Sequence, residues 1–215
     1  MNIILEEIRL SDDLEPGLRE LLEHGLKNLH HELEAPAAAF PFIGPKEIFG
    51  FCTEMTWVSL WKNALERHYR EQMHTLQEIT VYNTVDGKQK HLGRRDLMVR
   101  INGSPSLDLL FEAKMGEWKG HAPGLNKRLE KKYTEIYRQA RRYVACLKDY
   151  SPMTIAICFD WFRTEKAIAA ARKIRKEGIP AMPGQFDALY SSGMFGVWVH
   201  GAASKIVSQP SRSSQ

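Results

Sequence analysis

The stretch Gly93–Lys114, GRRDLMVRINGSPSLDLLFEAK, reads as two strands joined by a turn. Leu97, Val99 and Ile101 alternate with other residues before Asn102-Gly103-Ser104-Pro105, and Leu107, Leu109, Phe111 and Ala113 alternate after it. Successive side chains of a strand point to opposite faces, so Glu112 and Lys114 share one face of the second strand and the four apolar residues share the other. An acid and an amine then occupy positions where a covered sheet carries apolar residues. That placement calls for a chemical reason.

Asp96, on the first of the two strands, brings a second carboxylate to the Glu112 side if the strands pair. Two carboxylates a few ångströms apart repel unless a cation neutralises them, and hard oxygen ligands select Mg²⁺, with Mn²⁺ as a substitute. Such an ion polarises a phosphoryl oxygen and activates water. Lys114, the next side chain on the Glu112 face, is placed to orient that water or to stabilise charge developing on the phosphate.

Asp96 followed by Glu112-Ala113-Lys114 on an apolar strand resembles the signature of the PD-(D/E)xK, or restriction-endonuclease-like, nuclease superfamily. Arg95 stands where the family's proline would be, and that proline is not a ligand. The resemblance runs from Thr53 to Phe159. It implies an α/β fold with a mixed β-sheet flanked by helices, and metal-dependent hydrolysis of phosphodiesters in nucleic acid, DNA before RNA. In that chemistry Asp96 and Glu112 hold Mg²⁺, Lys114 positions water, and in-line attack leaves a 5′-phosphate. The alternative for the same chain is a catalytically silent nucleic-acid-binding or assembly protein of the same fold.

Upstream, Thr53 caps a helix that runs to about Met73. Val58, Trp61, Leu65 and His68 form its inward stripe, and Glu54 lies one turn before Val58 on that side. A carboxylate there is costly unless it is paired or ligates a metal. Nucleases of the resembling type carry such a glutamate pointing at the metal, which makes Glu54 the third candidate ligand. The other reading is a first-turn acid favoured by the helix dipole. Leu76–Val85 then reads as a strand, and Asp86-Gly87 as a hairpin turn into the Asp96 strand.

Downstream of Lys114, positive charge gathers: Lys119, Lys127, Arg128, Lys131, Lys132, Arg138 and Arg142 lie near Trp118 and His121. Contact with phosphates is one reading of that cluster and a solvated helix face the other; its adjacency to the proposed metal site favours the first. Gln139 and Tyr143 stand one turn apart on the helix there, which resembles a Gln-x-x-x-Tyr motif of the exonuclease-like branch of the superfamily. The resemblance implies that Gln139 helps hold substrate or the catalytic groups and that Tyr143 joins the nucleic-acid surface. As plain packing, Gln139 is a boundary residue and Tyr143 a core residue.

The 215 residues, 43% of them hydrophobic, suffice for one full core with an appendage. The expected organisation is an acidic helical extension over 1–34, a connector over 35–52 rich in proline and glycine, an α/β core over 53–203 and a flexible tail over 204–215. In the extension Leu18, Leu21, Leu22, Leu26 and Leu29 recur at helical spacing, to pack on the core or on a partner subunit. His30-His31-Glu32 is out of order for HExxH and reads as a solvated helix end. Met153–Phe159, MTIAICF, reads as a central strand covered on both faces, Thr164–Lys176 as a helix and Gly193–His200 as a short strand. The unit of strand, helix and buried strand after Glu112 implies a parallel crossover.

Three cysteines, Cys52, Cys146 and Cys158, with no CxxC pair and none beside a histidine in metal-ligand spacing, read as buried thiols and argue against a structural zinc site. The net charge of +4 is mildly basic and decides little by its total. No apolar run is long enough to span a bilayer, and the first residues lack the layout of a secretion signal, so the expectation is a soluble cytoplasmic protein. A homodimer or a complex with partner proteins fits an enzyme that cuts two strands.

Overall fold

The apolar alternation on either side of Asn102 builds one half of a seven-stranded mixed sheet. The structure is a computed structural model and describes residues 3–39, 44–50, 52–85, 88–103, 106–117, 131–136, 138–139, 152–177, 183–193 and 195–205. In chain order the elements are β1 (Ile4–Leu10), α1 (Pro16–Ala39), α2 (Pro45–Gly50), α3 (Glu54–Tyr69), β2 (Met73–Val85), β3 (Lys88–Ile101) and β4 (Leu107–Glu117). There follow α4, helical at 131–136 and 138–139, then β5 (Met153–Phe162), α5 (Glu165–Glu177), β6 (Gln185–Ser192) and β7 (Phe195–Lys205). The strand order is β1-β6-β7-β5-β4-β3-β2, with β4 and β5 parallel and every other pair antiparallel.

Alternation assigns each face its cover. Leu109, Phe111 and Ala113 of β4 and Ile155, Ile157 and Phe159 of β5 pack with the buried faces of α1 and α3. Ala156 and Cys158 look the other way, onto Tyr133 and Ile136 of α4 and Ala167, Ile168 and Ala171 of α5. The run MTIAICF is therefore buried on both sides, as a parallel-paired central strand requires. Thr53 closes a capping box with Thr56 at the start of α3, which sets the position of Glu54 in the first turn.

Of residues 1–34, only those from Pro16 onward are helical. Ile4–Leu10 is an edge strand paired with β6, and the leucines of α1 sit in the main core at 0–1% exposure. The charges in ILEEIRL hid the strand. An edge strand tolerates them because half of it faces solvent and α5 supplies partners, Arg172 meeting Glu6 at 2.5 Å. Gly25 lets α3 lie close, since a Cβ there would come within 2.7 Å of the Trp61 ring.

The connector also differs. α1 continues through Pro36 to Ala39, where the bond lost to the proline lies only a turn from the helix end. Phe49 of α2 stacks on Trp57 and Phe195 in the core. His30-His31-Glu32 is not a solvated helix end: Glu32 is 8% exposed and bonds Arg67, and His30 bonds the Ile3 carbonyl.

β7 runs to Lys205, past the expected start of the tail at 204, and β6 is a buried strand outside the expected set. Asp187 interrupts its apolar pattern, and Arg175 of α5 with the Trp198 indole N–H satisfies it. Asp86, Gly87, Cys146 and residues 206–215 lie outside the described residues, although the hairpin pairing is traced up to Val85–Lys88.

At Gly201 a Cβ would sit 2.1 Å from the Ala156 carbonyl oxygen and 2.5 Å from the Phe186 ring. Gly201→Ala is expected to destabilise the fold by about 2 kcal/mol or more through overpacking between β5 and β6. A denaturant titration with unchanged slope and a lower midpoint is the check.

Candidate active site

The β3–β4 ladder stops at Leu97–Phe111, one residue pair short of Asp96 and Glu112. In place of the next rung, Asp96 Oδ2 accepts the backbone N–H of Ala113 at 2.6 Å. The ladder ends at this point, beside the first turn of α3. Glu54 enters from there, and Lys114 Nζ donates to its carboxylate at 3.3 Å from Oε1 and 3.5 Å from Oε2. From α4, Gln139 Nε2 donates to Glu112 Oε2 at 3.2 Å. Five residues expected to share a site thus meet from α3, β3, β4 and α4.

Glu112 is 1% exposed, and its Oε1 has no hydrogen-bond partner among the described residues. Burial first, and then the negative charge of Asp96, push its carboxyl up to about 9. Burial likewise pushes Asp96 up to about 6; the Ala113 N–H pulls it down and the charge of Glu54 adds to the rise. Lys114 opposes the rise at both. Arg95 is 3% exposed and its charge also favours ionised Glu112.

This donor set fits a divalent cation. All candidate ligands are carboxylate oxygens, one buried oxygen is unpartnered among the described residues, and burial raises the pKa of two of the acids. The oxygens of Asp96, Glu112 and Glu54 do not all lie within 4.8 Å of one another. Asp96 and Glu112 form the pair suited to an ion, and Glu54 orients Lys114.

Glu78 completes the site and was not among the expected residues. It lies on β2 between the pairs Gln77–Leu97 and Ile79–Arg95, across from Asp96, and adds to the rise in the Asp96 pKa. Glu54, Met55, Val58, Gln77, Glu78 and Asp96 line one cavity of about 60 Å³. The Glu78 backbone has φ 50, the left-handed region that a non-glycine strand residue seldom adopts. Sequence carries little signal for this, because glutamate is not a residue that marks positive φ.

The basic cluster divides. Lys131 and Arg138 are exposed on α4. Lys132 turns inward, its ammonium 2.7 Å from Asp160 Oδ1, beside Gly116, whose missing Cβ leaves room for the pair. His200, fully buried, bonds Asp160 Oδ2 at 2.8 Å through Nε2 and the Tyr133 hydroxyl at 2.5 Å through Nδ1. Burial would raise Asp160, but the Lys132 charge and the His200 bond outweigh it and hold the carboxyl at about 2. Burial lowers the His200 pKa, and in the neutral ring Nε2–H donates to Asp160 while Nδ1 accepts from Tyr133. Lys119, Lys127, Arg128, Arg142 and Tyr143 lie outside the described residues. No protein-family model, curated protein or solved structure matches this chain.

Two outcomes follow from the carboxyl cluster. Folded Asp96 and Glu112 hold protons that the unfolded chain has already released, so the folded state binds more protons between the ordinary carboxyl range and about pH 9. Their contribution to stability is fully present below about pH 4 and is lost as pH rises through about 6 and then about 9. In chelator, Tm is expected to fall between about pH 5 and pH 9, and Glu112→Gln, neutral throughout, to flatten the fall above about pH 6. Glu78→Asn, with a residue that tolerates positive φ, is expected to keep or raise Tm while weakening Mn²⁺ binding several-fold in calorimetry.

Proposed function

We propose that the chain is a divalent-metal-dependent nuclease of the restriction-endonuclease-like type that hydrolyses phosphodiester bonds, in DNA before RNA. The observation that carries this reading is the meeting of Asp96, Glu112, Lys114 and Glu54 where the β3–β4 ladder ends, with Glu112 buried and one of its oxygens unpartnered among the described residues. A binding surface gains nothing from burying acids at a strand junction, whereas hydrolysis of a phosphodiester requires concentrated positive charge and an oriented water.

Asp96 and Glu112 would hold Mg²⁺ or Mn²⁺, which when bound supplies Lewis-acid polarisation of the phosphoryl oxygen. Lys114, fixed by Glu54, orients the attacking water and stabilises charge on the phosphoryl group. Gln139 holds the Glu112 carboxylate by one oxygen and leaves the other for the ion. Asp96 is fixed by the Ala113 N–H through Oδ2 and keeps Oδ1 for the same purpose. Lys131 and Arg138, exposed on the helix that carries Gln139, extend positive charge toward the flanking phosphates. The inward Lys132 supports this helix through Asp160.

The test is digestion of linear, circular and single-stranded DNA and of RNA with Mg²⁺, Mn²⁺ or chelator. Cleavage is expected with metal alone. Lys114→Ala is expected to lower the rate about a hundredfold or more, with DNA binding retained in a mobility-shift assay. Equal cleavage by wild type, Lys114→Ala and Glu112→Ala, or undiminished cleavage in excess chelator, refutes the proposal.

A further inference from the structure

Away from the carboxyl cluster, α1 and α3 bring Glu20, His24 and His68 together with one donor atom of each within 4.8 Å of the others. We infer that these three residues form a transition-metal site of the Zn²⁺ class that joins α1 to the last turn of α3. Glu20 and His24 are one helical turn apart, with Glu20 Oε1 3.9 Å from His24 Nε2. His68, expected on the inward stripe of α3, is instead exposed and stacks on His24, the ring centroids 3.6 Å apart and the planes 12° apart.

Three features make this more than a chance grouping of polar side chains. Two imidazoles and one carboxylate are the donor set of three-ligand zinc centres, which leave a fourth position to water. Tetrahedral bonds of about 2.0–2.1 Å place donors roughly 3.4 Å apart, so the donors reach it by turning the side chains with the helices in place. The stacked imidazoles come from two different helices, so one bound ion would join α1 to α3.

The surroundings leave the donors available. Lys27 and Arg19, cations of α1 that flank the group in sequence, are taken up by Glu23 at 2.5 Å and by Asp12 at 3.3 Å. Tyr69 stands edge-on to His68 at 4.7 Å and walls one side of that ring. The other comparable group, His30, His31 and Glu34, is less suited, because His30 Nε2 is already bonded to the Ile3 carbonyl. Imidazole nitrogens prefer Zn²⁺, Co²⁺ or Ni²⁺ to Mg²⁺, so the site is chemically separate from the oxygen-only cluster at Asp96 and Glu112. Bound metal would tie α1 to the end of α3 opposite Glu54.

Co²⁺ titration of the full chain, followed by visible absorption, tests the inference, with the Asp96→Asn variant reporting any contribution of the carboxyl cluster. Wild type and Asp96→Asn are expected to show the same saturable band, and His68→Ala and His24→Ala to bind about tenfold more weakly or worse. Zn²⁺ at about a hundred times its Kd is expected to raise Tm by about 5 °C or more in wild type and Asp96→Asn. At the same Zn²⁺ concentration the shift in His68→Ala is expected to be about half that of wild type or less. His68 is exposed, so that variant keeps the fold and decides the matter should His24→Ala not fold. No saturable band in wild type, a band lost in Asp96→Asn, or a band of wild-type affinity in His68→Ala overturns the inference.

Discussion

A carboxyl group at 1% exposure, with one oxygen unpartnered and a second acid beside it, is the constraint on which the candidate site depends. An isolated buried carboxylate is expensive, and the chain meets the expense by holding Glu112 and Asp96 protonated into the range of about 9 and about 6. A well-packed sheet has no use for such a pair. The arrangement is coherent if positive charge arrives, and the proposed ion with the Lys114 ammonium is that charge.

The rest of the fold can be seen as what keeps this spot open and aimed. β3 and β4 pair only as far as Leu97–Phe111, and the Ala113 N–H that the ladder leaves goes to Asp96. The parallel pairing of β4 with β5 sets Lys114 beside Cys158 and Gly116 beside Asp160, so the buried Tyr133–His200–Asp160–Lys132 chain lies directly behind the site. That chain fixes the beginning of α4, and α4 carries Gln139 to Glu112. α3 is held from the other side by close packing on α1 at Gly25, and its capped first turn delivers Glu54. Among the described residues, α3, β3, β4 and α4 each place side chains in the buried clusters on the two faces of the sheet.

Positive φ at Glu78 fits the same picture. A left-handed glutamate in a strand is strained by about 1–3 kcal/mol, and such strain gathers where a side chain must be aimed. Here it sits opposite Asp96, on the wall of the cavity that Glu54 and Asp96 share. The His24–His68 stack between α1 and α3 is a second place where polar groups are set together without an evident packing reason.

Period-two alternation around Asn102, the unbroken apolar run of β5 and the cap at Thr53 were legible because each is a local pattern, written in residues that are neighbours in sequence or one turn apart. The same patterns placed Asp96, Glu112, Lys114 and Glu54 on elements that could meet. What local pattern could not carry was every feature whose partner lies far along the chain. β1 is a strand because β6 pairs with it and α5 neutralises its acids, Asp187 is buried because Arg175 and Trp198 reach it, and Lys132 points inward because Asp160 is there. Residue types by themselves determined which groups were able to do chemistry. Tertiary packing decided which of them share a space, since burial and pairing energies depend on what fills the other side of the contact.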